Sequence, residues 1–346
     1  MIPTNQDAAR ALRFVANAAV FLLAMLCSAR FLERVLPPAP VPQFSEKLAH
    51  FAAHKDEYDT LFIGSSRTFR QILPSIFDPL LIAGGQSARS FNFGLDGMFS
   101  PEDAYVAEKI FALRPQRLRR VFIEVSFFNT DFAAQAPETR RALYWHDLHR
   151  TALLCRYILP FGKSSKIRDP ERWAKAWQHV RLFLVRTLNL GEGTRLADPW
   201  RGVPPLGPQW TLGSAHDGAV PYAAETEYAG ENREGFDRDM EALLAAKGKI
   251  GKFPPAPLQS LCDMIARVRA LGAAPVLFIA PVAMTRVNSP AGQVDVPILD
   301  FTDPHRWPVL FDPANRYDRG HLNSPGSRIF TRLFAEQVLA LPPPSH

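Results

Sequence analysis

Five short runs, at residues 60–63, 90–93, 119–125, 275–280 and 296–301, constrain the fold more than any other feature of the chain. Most are continuously apolar instead of alternating, the pattern of strands covered on both faces and so of a parallel sheet. Helical patterns lie between and after them. "SPEDAYVAEKIFALRP" offers Ser100 as an N-cap, Pro101 at the first helical position and Asp103 three residues on from the cap. Val106, Ile110 and Leu113 then share one face. A second helix is expected after Pro257, with Leu261, Ile265 and Val268 in phase and a stop at Gly272. A last one runs from Ser324 to about Leu339, with Phe330, Phe334 and Val338 in phase. Strands alternating with helices predict an α/β fold, a three-layer α/β/α sandwich around a parallel sheet.

The N-terminus predicts a compartment. Residues 14–29, "FVANAAVFLLAMLCSA", hold no charge; Arg10 and Arg13 precede them, and Arg30 and Arg34 follow. As a helix this stretch rises about 24 Å, a little under a hydrocarbon core of about 30 Å, and arginine snorkelling at both ends closes the gap. We expect an uncleaved transmembrane anchor. A cleaved signal peptide, with Cys27-Ser28-Ala29 at the cleavage site, is the alternative, and a buried core helix a third. Flanking charge is balanced, so orientation rests on the short N-terminal tail, which favours N-terminus inside. The division expected is a tail and anchor at 1–35, a proline-rich spacer at 36–56, an α/β domain at 57–136 and 256–341, and a helical and loop insertion at 137–255.

A net charge of +6 over 346 residues is mild, and no basic run interleaves with aromatics, so nucleic acid is not an expected partner. Cys27, Cys155 and Cys262 fall in no metal-binding spacing and are expected as free thiols, the last two buried. His146 and His149 lie one helical turn apart, but no third ligand is recognisable and no metal is expected. Trp173 and Trp177, at i and i+4, fit core or interface better than a sugar platform.

In an open α/β sheet, sites lie outside the carboxyl ends of the strands. Three strands end in small polar groups: Gly64-Ser65-Ser66; "FNFGLDG" at 91–97, with Asn92, Gly94 and Gly97; and "VFIEVSFFNTD" at 121–131, with Ser126 and Asn129. A fourth stretch, "YDRGHLNSPG" at 317–326, precedes the last helix and carries Asp318 and His321. A serine hydroxyl needs a base to take its proton, and a histidine needs an acid to fix its tautomer, so Ser66, His321 and Asp318 form a possible relay. Arg67 is expected to pair with an acidic neighbour, and Asn92 and Gly94 to shape backbone.

In their order along the chain, these four blocks resemble the SGNH (GDSL-type) hydrolase family, SGNH/flavodoxin-like in fold. Ser66 falls at the family's catalytic serine, Gly97 at its oxyanion-hole glycine, and Asp318-Arg319-Gly320-His321 at its Asp-x-x-His. Two departures stand out. Ser65 replaces the family's frequent aspartate, and Ser126-Phe127-Phe128-Asn129 replaces its Gly-x-Asn-Asp. The resemblance implies catalytic Ser66, Asp318 and His321, with oxyanion donors from the Ser66 and Gly97 N–H groups. Either Asn129 or the Ser126 hydroxyl supplies a third donor, or none does. It implies a serine O-acyltransferase or carbohydrate esterase without a cofactor, acting on an acylated envelope glycan or acyl donor. The anchor and Gly-Ser-Ser resemble inner-membrane proteins with a periplasmic catalytic domain that work beside multi-pass membrane acyltransferases. A catalytically silent glycan-binding or scaffold module is the alternative.

Overall fold

The computed structural model describes residues 5–36, 39–131, 139–159, 169–202, 209–225, 228, 231–245, 253–283 and 288–343. The principal helices are α1 (Asn5–Val35), α2 (Phe44–His54), α3 (Ser66–Gln71), α4 (Pro74–Ala83), α5 (Glu102–Ala112), α6 (Leu148–Ile158), α7 (Pro170–Thr187), α8 (Glu231–Ala245), α9 (Pro255–Ala270) and α10 (Ser324–Leu339). The strands are β1 (Thr60–Gly64), β2 (Ser90–Gly94), β3 (Arg120–Glu124), β4 (Ala274–Ile279) and β5 (Ile298–Asp300). The chain divides into two compact units. One comprises residues 42–129 and 206–346, the other 1–41 and 130–205.

The first unit is α/β. Its five strands are all parallel, in the order β2-β1-β3-β4-β5. Strands β1, β2 and β3 are buried along their whole length. This suits the continuous apolar cores of β1 (61–63) and β3 (121–123), while β2 alternates and buries Ser90 and Asn92 with hydrogen-bond partners. The order reverses at β1: β2 lies on one side of it and β3 on the other, so the crevice at their carboxyl ends is the topological switch point. Helices α3, α4 and α10 pack together, as do α2, α5 and α9. Phe62, Phe77, Phe122, Phe278 and Phe334 form an aromatic core; Phe62 stacks on Phe122 at 4.9 Å, and Phe334 meets Phe122 edge-on at 5.1 Å.

Three expectations are corrected here. Residues 44–54, read as spacer, form α2, because Phe44, Lys47 and Phe51 fall at i, i+3 and i+7 and are buried on one face. The lysine in that stripe hides its amphipathic pattern. The stretch 137–255 is not a single insertion: its part from 206 onward belongs to the α/β unit. Asn92 N–H donates to the Asp217 carbonyl (2.8 Å), and Phe236 and Leu243 of α8 join the core. Finally, α5 starts at Glu102 without a side-chain cap, since the backbone of Ser100 pairs with Phe128 as a parallel bridge instead.

The second unit is helical. Helix α1, 31 residues and about 46 Å long, is long and apolar enough over Ala9–Val35 to cross a membrane. Near its end Ala29 is buried, and the Asn189 side-chain amide donates to the Ala29 carbonyl at 3.0 Å. Helices α6 and α7 pack together. All three cysteines are free; Cys155 and Cys262 are half-buried, not buried as expected, and Cys27 is exposed.

Candidate active site

Strand β1 delivers the Gly64-Ser65-Ser66 block. Ser65 caps α3, its hydroxyl accepting the Arg67 N–H at 3.2 Å, so Ser66 becomes the first helical residue. A buried carboxylate at the end of β3 holds this turn from behind. Glu124 accepts hydrogen bonds from the Ser65 N–H (2.7 Å), the Ser65 hydroxyl (2.9 Å), the Thr68 hydroxyl (2.6 Å) and the Arg67 guanidinium (2.7 Å). Arg67 therefore pairs with an acidic neighbour, as expected. Gly64 is glycine because a Cβ there would lie 2.4 Å from the Glu124 carboxylate and 2.0 Å from the Thr68 hydroxyl. Asn92 steadies the far end of α3: its amide donates to the Thr68 and Ile72 carbonyls, both at 2.7 Å, and its Oδ1 accepts the Gly94 N–H at 2.8 Å.

The fourth block closes on the first. Ser66 Oγ lies 2.7 Å from His321 Nε2, and His321 Nδ1 lies 2.9 Å from both carboxylate oxygens of Asp318. A carboxylate only accepts, so Nδ1 carries the proton and Nε2 presents a lone pair to the serine hydroxyl. Asp318 also accepts the N–H groups of Gly320 (2.6 Å) and His321 (2.7 Å). Burial pulls the Asp318 carboxyl upward, but the His321 hydrogen bond and charge, with the backbone donors, outweigh it and hold the group below its ordinary range. Asn323 caps α10 by accepting the Gly326 N–H at 3.0 Å and donates to the Ala314 carbonyl at 2.8 Å. Gly326 allows this close approach: a Cβ would lie 1.9 Å from the Asn315 carbonyl.

The expected oxyanion residues divide. Among the described residues, neither the Ser66 nor the Gly97 N–H has an acceptor, and the Leu95 N–H bond to the Gly64 carbonyl (3.0 Å) ties their two loops together. The Ser126 hydroxyl is engaged elsewhere. It donates to buried Asp103 at 3.0 Å and accepts the Ser100 N–H at 3.2 Å, so it is not a free donor. Asn129 donates its backbone N–H to the Ser100 carbonyl at 3.0 Å, within the same pairing.

Several neighbours escaped sequence reasoning. Arg70 pairs with Asp96 (Nε to Oδ1 3.1 Å, Nη2 to Oδ2 2.5 Å), and Asp96 also accepts the Gln43 amide at 2.8 Å. Asp96 immediately precedes Gly97, so this network braces the second loop. The Tyr222 ring stacks on Tyr317 at 4.2 Å, meets His321 edge-on at 5.3 Å and lies 4.8 Å from the Arg70 guanidinium. Lys47 is wholly buried and donates to the carbonyls of Asn92 (3.1 Å), Gly94 (2.6 Å) and Gly218 (2.7 Å). Burial lowers its pKa well below normal, opposed by the charges of Asp96, Asp217 and Glu46. A lysine at the apolar spacing set by Phe44 and Phe51 was the available signal.

The helical unit holds the remaining sequence candidates. His146 is buried, donates to the Ala142 carbonyl and faces His179 at 2.9 Å, so its neighbour is His179 and not His149. No group of three metal-type ligands occurs among the described residues. Trp173 and Trp177 are exposed, not core. No protein-family model matches the chain, and no curated protein matches it.

Proposed function

We propose that this protein is a membrane-anchored, SGNH-like serine acyl-transfer enzyme acting outside the cytoplasm on an acylated envelope glycan. The observation that carries this reading is the hydrogen-bonded line from Ser66 Oγ through His321 to Asp318. His321 takes the Ser66 proton as the oxygen attacks the acyl carbonyl, and the Ser66 and Gly97 N–H groups receive the oxyanion. The proton then passes from His321 to the departing alkoxide, leaving acyl-Ser66. An acceptor hydroxyl reverses these steps: water makes the protein an esterase, a sugar hydroxyl an O-acyltransferase. Asp318 holds the imidazole tautomer throughout.

The finer architecture follows the same reading: an SGNH-like three-layer sandwich, with α3, α4 and α10 as one helical layer and α2, α5 and α9 as the other. The apolar length of α1 supports a single-pass anchor; placing it in the inner membrane with the catalytic unit in the periplasm belongs to the SGNH-like reading proposed above. A multi-pass membrane acyltransferase is the partner that would supply acyl groups at that surface.

A second reading, a catalytically silent glycan-binding or scaffold module, is favoured by the Ser126 hydroxyl being bound to Asp103, which removes one expected oxyanion donor. Fluorophosphonate labelling separates the two. Labelling of the full chain that disappears in Ser66→Ala and His321→Ala supports the enzyme, and no labelling of the parent chain sinks it. Turnover of a small acetyl ester with and without oligosaccharide acceptors then divides transferase from esterase.

A further inference from the structure

One helical run in the second unit is built inside out. Residues Glu192–Ala197 form 3-10 turns that pass directly into the short helix Asp198–Arg201. Arg195 is only 8 % exposed and pairs with Glu192 at 2.8 Å and Asp198 at 3.7 Å. The apolar side chains face the other way: Leu196 is 47 % and Trp200 88 % exposed. They lie four residues apart across the junction of the 3-10 turns and the short helix, both exposed where Arg195 is buried. Leu190, just before the run, is also exposed.

The origin of the run says what covers it. Asn189 holds the Ala29 carbonyl of α1 at 3.0 Å. Ala29 is the last residue of the uncharged stretch 14–29, and exposed Arg30 and Arg34 follow. In a helix crossing a bilayer, the change from apolar residues to arginine marks the headgroup zone. The run therefore leaves α1 at the level where an indole ring is best solvated, its apolar body among upper acyl groups and its N–H toward the headgroups. Arg30 is paired with Glu33 at 2.6 Å, while exposed Arg34 and Arg201 match anionic headgroups nearby.

We propose that residues 190–201 rest in the interfacial layer of the bilayer that α1 crosses, with Leu196 and Trp200 inserted among the lipids. This rests on the reading of α1 as a membrane span. It gives the anchor a second, lateral foothold, so the helical unit cannot swing freely about a single helix.

The test uses the full chain, labelled with 5-fluorotryptophan, in nanodiscs of zwitterionic and anionic phospholipid. Six tryptophans give six fluorine resonances, and Trp200→Phe identifies one. Nitroxide lipid labelled near the headgroup should broaden the Trp200 resonance several-fold more than that of buried Trp145, and a water-soluble gadolinium chelate should leave Trp200 sharp. Broadening by the chelate but not by the lipid, with the chain still anchored, overturns the proposal. So does protection from both reagents that depends on protein concentration, which would mark a second copy as the occupant. Release of the chain from membranes by alkaline carbonate overturns the span itself, a failure distinct from the other two.

Discussion

Ser66 Oγ and His321 Nε2 lie 2.7 Å apart although 255 residues separate them in the chain. Each side of this contact has its own local brace, and the helices behind them are joined: the Thr331 hydroxyl of α10 donates to the Gln71 carbonyl at the end of α3 at 3.0 Å. Ser66 is held by the turn over Glu124, and His321 by Asp318 and the capped start of α10. Two braced elements held in hydrogen-bond register is the arrangement expected of a preorganised relay, where small displacements cost large factors in rate.

Asp318→Asn should separate chemistry from folding. An asparagine still accepts the Gly320 and His321 N–H groups but no longer selects the Nδ1–H tautomer. The proton then favours Nε2, facing the serine, and the base is lost. Ester turnover should fall about 10³- to 10⁴-fold with little change in thermal midpoint. Unchanged turnover would remove Asp318 from the relay.

Glu124 should prove mainly structural. In Glu124→Ala the Arg67 guanidinium, the Thr68 hydroxyl and the Ser65 N–H lose their buried acceptor, a defect of about 3–5 kcal/mol. Glu124→Gln keeps one acceptor oxygen and should cost less. Denaturant midpoints of both variants check the ranking. Equal and small losses would mean that water replaces the carboxylate and that the clamp is not needed.

The sheet was legible because burial on both faces writes itself mostly as continuous apolar runs; all five strands overlap the five runs read from the sequence. The line from Ser66 through His321 to Asp318 was legible because an apolar strand ends on Gly64-Ser65-Ser66, and because Asp318 and His321 stand three residues apart just before the last helix. Glu124 was not: in sequence it is one more residue of a strand, and only the fold places a serine turn over it. Lys47 was missed for a related reason, since a lysine in a helical stripe looks like a break in amphipathicity until three carbonyls are found around it. The division at 206 escaped because glycine- and proline-rich chain carries no periodicity, while residues 217–220 meet the sheet and α3 through backbone hydrogen bonds, Asn92 N–H to the Asp217 carbonyl and Val220 N–H to the Phe69 carbonyl.

Ser126→Ala tests the correction made at the third block. Its hydroxyl bridges Asp103 and the Ser100 N–H, so its loss should lower stability by about 1 kcal/mol and change kcat less than several-fold. An oxyanion donor would instead cost about 10²- to 10³-fold in kcat. A loss of that size at unchanged stability would restore Ser126 to the oxyanion site.

Two buried groups should tilt stability against pH in opposite directions. Burial pushes the Asp103 carboxyl up to about 6, against 3.8 in the unfolded chain, only partly offset by hydrogen bonds from Ser126, the Ala104 N–H and Ser100. Between those values the folded state holds the extra proton, so Asp103 lends stability below pH 3.8 that is lost as pH rises through about 6. The ceiling is about 3 kcal/mol. His146 runs the other way. Burial, helped by the charge of His179, depresses it to about 3 from 6.5. The unfolded chain then takes up the proton first, and stability falls as pH drops below 6.5. The two slopes oppose each other across pH 4–6, so the parent chain shows only their difference and single variants resolve them. Relative to the parent, Asp103→Asn should gain stability steadily from pH 4 to 6 and then level off. His146→Gln should gain relative stability as pH is lowered through the same interval. Urea titrations at fixed pH check both signs, and a pH-independent difference in either variant would show that the group does not titrate in this window.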